Sequence, residues 1–211
     1  KESPNAMSAR RPLALAATGL ALALTLAACG TGDHSTAPTN AVSAIASLDG
    51  RDADVAFAQL MIPHHEQAVE MADIALAKPT GDEVRALAEQ IKTAQDPEIA
   101  QMTDWLGRWG APTQMAGMAS DGSMDHGSSD MGGMSVAGMM SEQDMADLTD
   151  ATGEDFDRMW LGMMIAHHQG ALAMANQVLT TTADADVKAL AEAVVAGQTA
   201  EITTMQNLLA G

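Results

Sequence analysis

The chain has 211 residues, with 10 basic against 28 acidic side chains and a formal net charge of −18. Such a surface repels nucleic acid and anionic lipid, and with three Trp, two Phe and no Tyr there is no aromatic and basic platform for stacking bases. The single cysteine excludes an internal disulfide, so metal chemistry here must use His, Met or carboxylate.

The first 28 residues read as an export signal. Arg10 and Arg11 precede an apolar, charge-free run from Leu13 to Ala28, shorter than the roughly 20 residues that comfortably span a bilayer. Leu26-Ala27-Ala28-Cys29 resembles a lipobox, which predicts that Cys29 is lipidated and becomes the new N-terminus, anchoring the protein on the outer face of the cytoplasmic membrane or in the periplasm. Without residues 1–28 the mature chain keeps 7 basic and 27 acidic residues. Residues 29–50, rich in Thr, Ser, Ala, Gly and Pro, read as a flexible tether.

The domain then spans 51–211 and is built from one unit used twice. Laying residues 54–106 on 157–209, at a constant offset of 103 and without a gap, gives 19 identities in 53 positions. Matched pairs include Asp54/Asp157, Met61/Met164, His64/His167, His65/His168, Met71/Met174, Gln95/Gln198, Glu98/Glu201 and Met102/Met205. In each copy apolar residues recur at three- and four-residue spacing, which predicts two helices.

In repeat one (52–108) a helix from about Asp52 ends at Lys78, before Pro79. The next, capped by Thr80 or Asp82, runs to about Arg108 and is kinked or unwound at Pro97. In repeat two (154–210) Thr152 or Glu154 opens one helix and Asp184 or Asp186 the next, while Ser141-Glu142-Gln143-Asp144 caps a short preceding helix. Two amphipathic hairpins bury their apolar faces most economically against each other. The predicted fold is therefore all-α: a four-helix bundle of two duplicated hairpins, its core filled by Leu, Ile, Val, Ala and Met. The Gly-, Ser- and Met-rich linker 110–140 reads as disordered.

Neighbouring residues on a helix point about 100° apart, so in His64-His65 and His167-His168 one ring faces inward and the other faces a neighbouring helix. Met61 and Met71, repeated as Met164 and Met174, flank the pairs, and Met102 and Met205 take equivalent places on the partner helices. Imidazole and thioether together suit copper or silver outside the cytoplasm, whereas hard cations want oxygen. The linker adds Met118, Met124, His126, Met131 and Met134, where a core cannot explain them, as a collector for Cu(I). Other chemistries fail on spacing: there is no metalloprotease His pair at i, i+4, no tetrad of Glu-x-x-His type and no nucleophile elbow. A binding protein, not an enzyme, is expected. It would sequester copper ion or pass it to a copper-handling protein; the alternative is a helical interaction module whose histidines are structural or pH-sensing.

The segments Met61-Ile62-Pro63-His64-His65-Glu66-Gln67-Ala68 and Met164-Ile165-Ala166-His167-His168-Gln169-Gly170-Ala171 resemble the signature of the bacterial "domain of unknown function 305" proteins. That resemblance implies an exported, ferritin-like four-helix bundle, some of whose members are similar to periplasmic copper-binding resistance proteins. It carries the ligand role to His64, His65, His167, His168, Met61, Met71, Met164 and Met174.

Overall fold

The computed structural model describes residues 41–115 and 136–211, all of whose regular structure is helical. Six helices follow one another: α1 (Ala41–Ala46), α2 (Gly50–Ala77), α3 (Asp82–Trp109), α4 (Glu142–Asp150), α5 (Gly153–Val178) and α6 (Ala185–Ala210). The hairpins α2/α3 and α5/α6 pack through α2 against α5 and, over a shorter stretch, α3 against α6. Both cross-hairpin pairs are antiparallel. Met71 of α2 meets Trp160 near the start of α5, and Gln90 of α3 meets Glu201 in the second half of α6. Among the described residues no helix is long and apolar enough to cross a membrane.

Local chemistry sets most helix ends. Asp184 caps α6 by accepting from the N–H groups of Asp186 and Val187, and Ser141 with Asp144 forms a reciprocal capping box on α4. Arg85 reaches back from α3 to the Leu76 and Lys78 carbonyls at the α2 terminus, at 3.1 and 2.7 Å. Neither Thr80 nor Asp82 caps α3. Its N-cap is Gly81, whose N–H donates to Asp157 of the other hairpin at 2.9 Å. Arg51, which also lies beside Asp54, the repeat partner of Asp157, in turn pairs with Asp184 at the α5–α6 turn at 3.1 Å, so each hairpin's turn is held from the other hairpin.

Three further expectations need correction. Part of the tether is structured: α1 lies against α2 and α5 with Ala41 and Ile45 buried, because two apolar side chains four apart give even a short helix a face to bury. Helix α3 runs through Pro97 without interruption. Pro97 and Thr93 are both exposed, so water can take up the carbonyl that the missing N–H leaves free. The linker is ordered at both ends. Gln59 donates to the Pro112 carbonyl at 2.7 Å, and residues 136–140 lie on α2 and α5.

The core falls into two buried clusters. One gathers Phe57, Leu60, Met61, Met102, Trp105 and Met174 with residues around them; the other gathers Met71, Ile91, Phe156, Trp160, Met164 and Met205 with theirs. Four of the five aromatics are thus core residues, alongside the expected aliphatics and methionines. Along α2 and α5 the histidine pairs fall between the stretches contributed to each cluster, so a polar layer divides the bundle.

Candidate metal centre

All four histidines are buried, none more than 1% exposed. Burying an imidazole without partners is costly, so the fate of each ring nitrogen decides what the layer can do. His64 and His167 face each other across the α2–α5 contact with ring centroids 3.7 Å apart and planes inclined at 35°. His65 turns toward α3, its Nε2 donating to Glu98 at 2.8 Å; His168 turns toward α6, its Nε2 donating to Glu201 at 2.7 Å. The structure thus joins one histidine from each repeat and sends the other two to separate sides. Among the described residues no group of three or more His, Cys, Asp or Glu is placed to hold a metal ion, so a site in this layer depends on sulfur as well as nitrogen.

The tautomers follow from the acceptors. A carbonyl or carboxylate only accepts, so Nε2 of His64, which meets the Ala137 carbonyl at 3.2 Å, carries the hydrogen, as do those of His65 and His168. In all three, Nδ1 is left as the lone-pair atom, and in each it is buried with no hydrogen-bond partner among the described residues, where His167 has neither nitrogen partnered. Burial, reinforced by the neighbouring His65, pushes His64 down to about 3, and burial with the adjacent imidazoles holds His167 well below its ordinary value. Both rings are neutral at physiological pH. A neutral imidazole with its far N–H fixed by a carboxylate or carbonyl is the usual form of a metal-ligating histidine.

The six candidate methionines, Met61, Met71, Met102, Met164, Met174 and Met205, are all fully buried, and antiparallel packing sorts them across the repeats. Met61 and Met102 share a cluster with Met174 of the other copy; Met164 and Met205 share the opposite cluster with Met71. One set maps onto the other under the repeat offset. Each cluster therefore holds thioethers from three helices, soft, uncharged groups of the kind that with neutral imidazole suit copper or silver. The linker candidates Met118, Met124, His126, Met131 and Met134, and Cys29, lie outside the described residues.

Sequence reasoning missed the segment over this layer. Gln67 clamps the backbone of Met140, its Nε2 donating to the carbonyl at 2.9 Å and its Oε1 accepting from the N–H at 2.7 Å. The Gln67/Gly170 mismatch between the repeats is the signal that marks it.

A family model described as "domain of unknown function (DUF305)" matches residues 54–209, nearly the whole of both hairpins that carry the histidines. The chain belongs to the DUF305 family. A DUF305 fragment from Deinococcus radiodurans is 33% identical with a TM-score of 0.61, covering 74% of this chain and 95% of that one. A DUF305 protein from Streptomyces coelicolor, described as a candidate secreted protein, is 29% identical with a TM-score of 0.64, covering 82% and 94%. CopM in its Cu(II)-bound form is 31% identical with a TM-score of 0.59, covering 74% and 95%; CopM structures with Cu(I) and with Ag match similarly. No curated protein matches the sequence.

Proposed function

We propose that this DUF305 protein binds a soft metal ion, copper as Cu(I) or Cu(II), for sequestration, tolerance or delivery at the cell envelope. The observation that carries the reading is the set of buried Nδ1 atoms, on His64, His65, His167 and His168, that have no hydrogen-bond partner among the described residues while three of the four opposite Nε2 atoms are fixed. CopM, similar over most of its length, has been crystallised with copper and silver, which supports the same cargo here. The role is binding rather than catalysis. Export is supported by the relative described as a candidate secreted protein. A tether through lipidated Cys29 and a Cu(I)-collecting linker around His126 belong to the same proposal, on the sequence alone.

Titration of the full chain with Cu(I) against a chromophoric Cu(I) chelator tests the reading. Uptake should fall when His64 and His167 become Ala. It should fall by about half in M61L/M102L/M174L and again in M71L/M164L/M205L, because each set supplies one side of the layer. Uptake no greater than that of a chain carrying all these changes removes the claim. The His65–Glu98 and His168–Glu201 bonds favour a second reading, an interaction module with structural histidines. On that reading the same variants change folding or partner capture and leave metal uptake alone.

A further inference from the structure

A second polar feature lies between α3 and α6 and borders the His65 and His168 rings through Glu98 and Glu201. A cavity of about 40 Å³ is lined there by Gln95, Glu98, Gln198 and Glu201, with the small residues Ala94 and Gly197. The four polar residues are two copies of Gln-x-x-Glu, related by the repeat offset and set on facing, antiparallel helices. Spacing of i, i+3 puts each glutamine above its glutamate on one face, so four side chains converge from two sides. No basic residue lines the space.

Two observations show that internal hydrogen bonding does not account for this cavity. Gln95 is 2% exposed with neither amide atom partnered, and Gln198 is 5% exposed with its Oε1 unpartnered. A buried amide without partners is costly, so their presence at matching positions points to an occupant of this space. Both glutamates meanwhile have only neutral or histidine partners: Glu98 accepts from His65, and Glu201 from His168 and Gln90. The lining combines two carboxylates with two amide carbonyls, an all-oxygen set with excess negative charge. Such a set selects a hard divalent cation and not the soft ion suited to thioether and imidazole. The volume exceeds the roughly 10–15 Å³ that one water needs, leaving room for an ion that keeps part of its hydration.

We propose that the α3–α6 cavity is a separate site for a hard divalent cation of the magnesium, calcium or manganese class, held by Gln95, Glu98, Gln198 and Glu201. None of its donors is a sulfur or an imidazole, but Glu98 and Glu201 also hold His65 and His168, so only Gln95 and Gln198 are independent of the copper reading. Mn(II) is the probe, titrated into metal-free full-length protein and followed by the loss of the free-ion paramagnetic resonance signal. One Mn(II) per chain should bind more tightly than the diffuse binding expected of an acidic surface, and Mg(II) or Ca(II) should displace it.

Gln95→Leu with Gln198→Leu removes the two carbonyl donors and should weaken this site at least about tenfold. Gly197→Leu should do the same by filling the cavity, since a Cβ there meets nothing within 4 Å. Gln95→Glu with Gln198→Glu should tighten it, an outcome that misfolding cannot imitate. Cu(I) uptake should persist in the leucine variants; its failure in the parent protein would count against the copper site alone. Absence of tight Mn(II) binding to the parent makes the cavity a water site and overturns the proposal. So does equal binding in the leucine variants, which would put the ion elsewhere on the surface.

Discussion

Gln67 and Gly170 occupy the same position in the two repeats and hold one segment in opposite ways. Gln67 grips the backbone of Met140 through both ends of its amide, while Gly170 lacks the atom that would block the chain three residues away, at Ala137. A Cβ on Gly170 would lie 1.8 Å from the Ala137 carbonyl oxygen, and Gly138, at φ +84°, is itself pressed against the α5 backbone. Divergence at this one site lets residues 136–140 lie over His64 and His167 and supply the carbonyl that fixes the His64 tautomer.

Gly170→Ala is therefore expected to lift this segment. Overpacking should cost about 1–3 kcal/mol in chemical denaturation. Loss of the Ala137 contact should speed amide exchange at Ala137–Met140. Unchanged exchange there would show that the close approach does not hold the segment.

His167→Leu should leave the metal-free protein as stable as the parent or raise its melting temperature. The substitution removes two buried nitrogens without partners, each costing about 1–3 kcal/mol, and retains apolar bulk. Stabilisation by added Ag(I) should shrink in the same variant. A large drop in metal-free stability would mean that the ring is a structural element.

Acid should destabilise the fold through the same layer. His64 and His167 hold protons less well folded than unfolded, so the unfolded chain takes them up first as pH falls. Their contribution is whole above the ordinary imidazole value of about 6.5 and is lost toward about 3, the folded value for His64. Each group should contribute a slope of up to about 1.4 kcal/mol per pH unit across that window. Urea midpoints measured between about pH 7.5 and pH 4.5 should fall in the parent and flatten in H64L/H167L. Parallel curves for the two proteins would remove these rings from the account.

Glu201 receives the His168 Nε2 hydrogen and is 5% exposed. Glu201→Gln keeps an acceptor in place, whereas Glu201→Leu leaves that N–H without one. Soft-metal affinity should fall by about 10–100-fold in the leucine variant and less in the glutamine variant, the pattern of a residue that positions a ligand. Equal losses would point to charge alone, and no loss in either would exclude a role for the carboxylate.

Much of the architecture was legible in the chain. Three- and four-residue periodicity and the offset of 103 gave four long helices in two hairpins, and Asp184 and Ser141 marked helix starts because capping is a matter of neighbouring atoms. Helix α1 escaped because, at six residues, it is too short to show a three- and four-residue periodicity. The order at residues 136–140 escaped because it depends on Gln67 and Gly170, more than thirty residues away in either case, and not on the segment's own Gly-rich composition.

For the candidate site, the sequence by itself determined the donor inventory: which histidines and methionines repeat, and that adjacent rings must diverge, since both are properties of a single helix. Only the tertiary structure decided that His64 meets His167, that Glu98 and Glu201 draw the other two rings aside, and that Met61 and Met102 join Met174 while Met164 and Met205 join Met71. The physical reason is the antiparallel contact of α2 with α5. It sets the start of α2 beside the end of α5, so each shared environment mixes both copies, a pairing fixed by packing between helices that no pattern along one helix encodes.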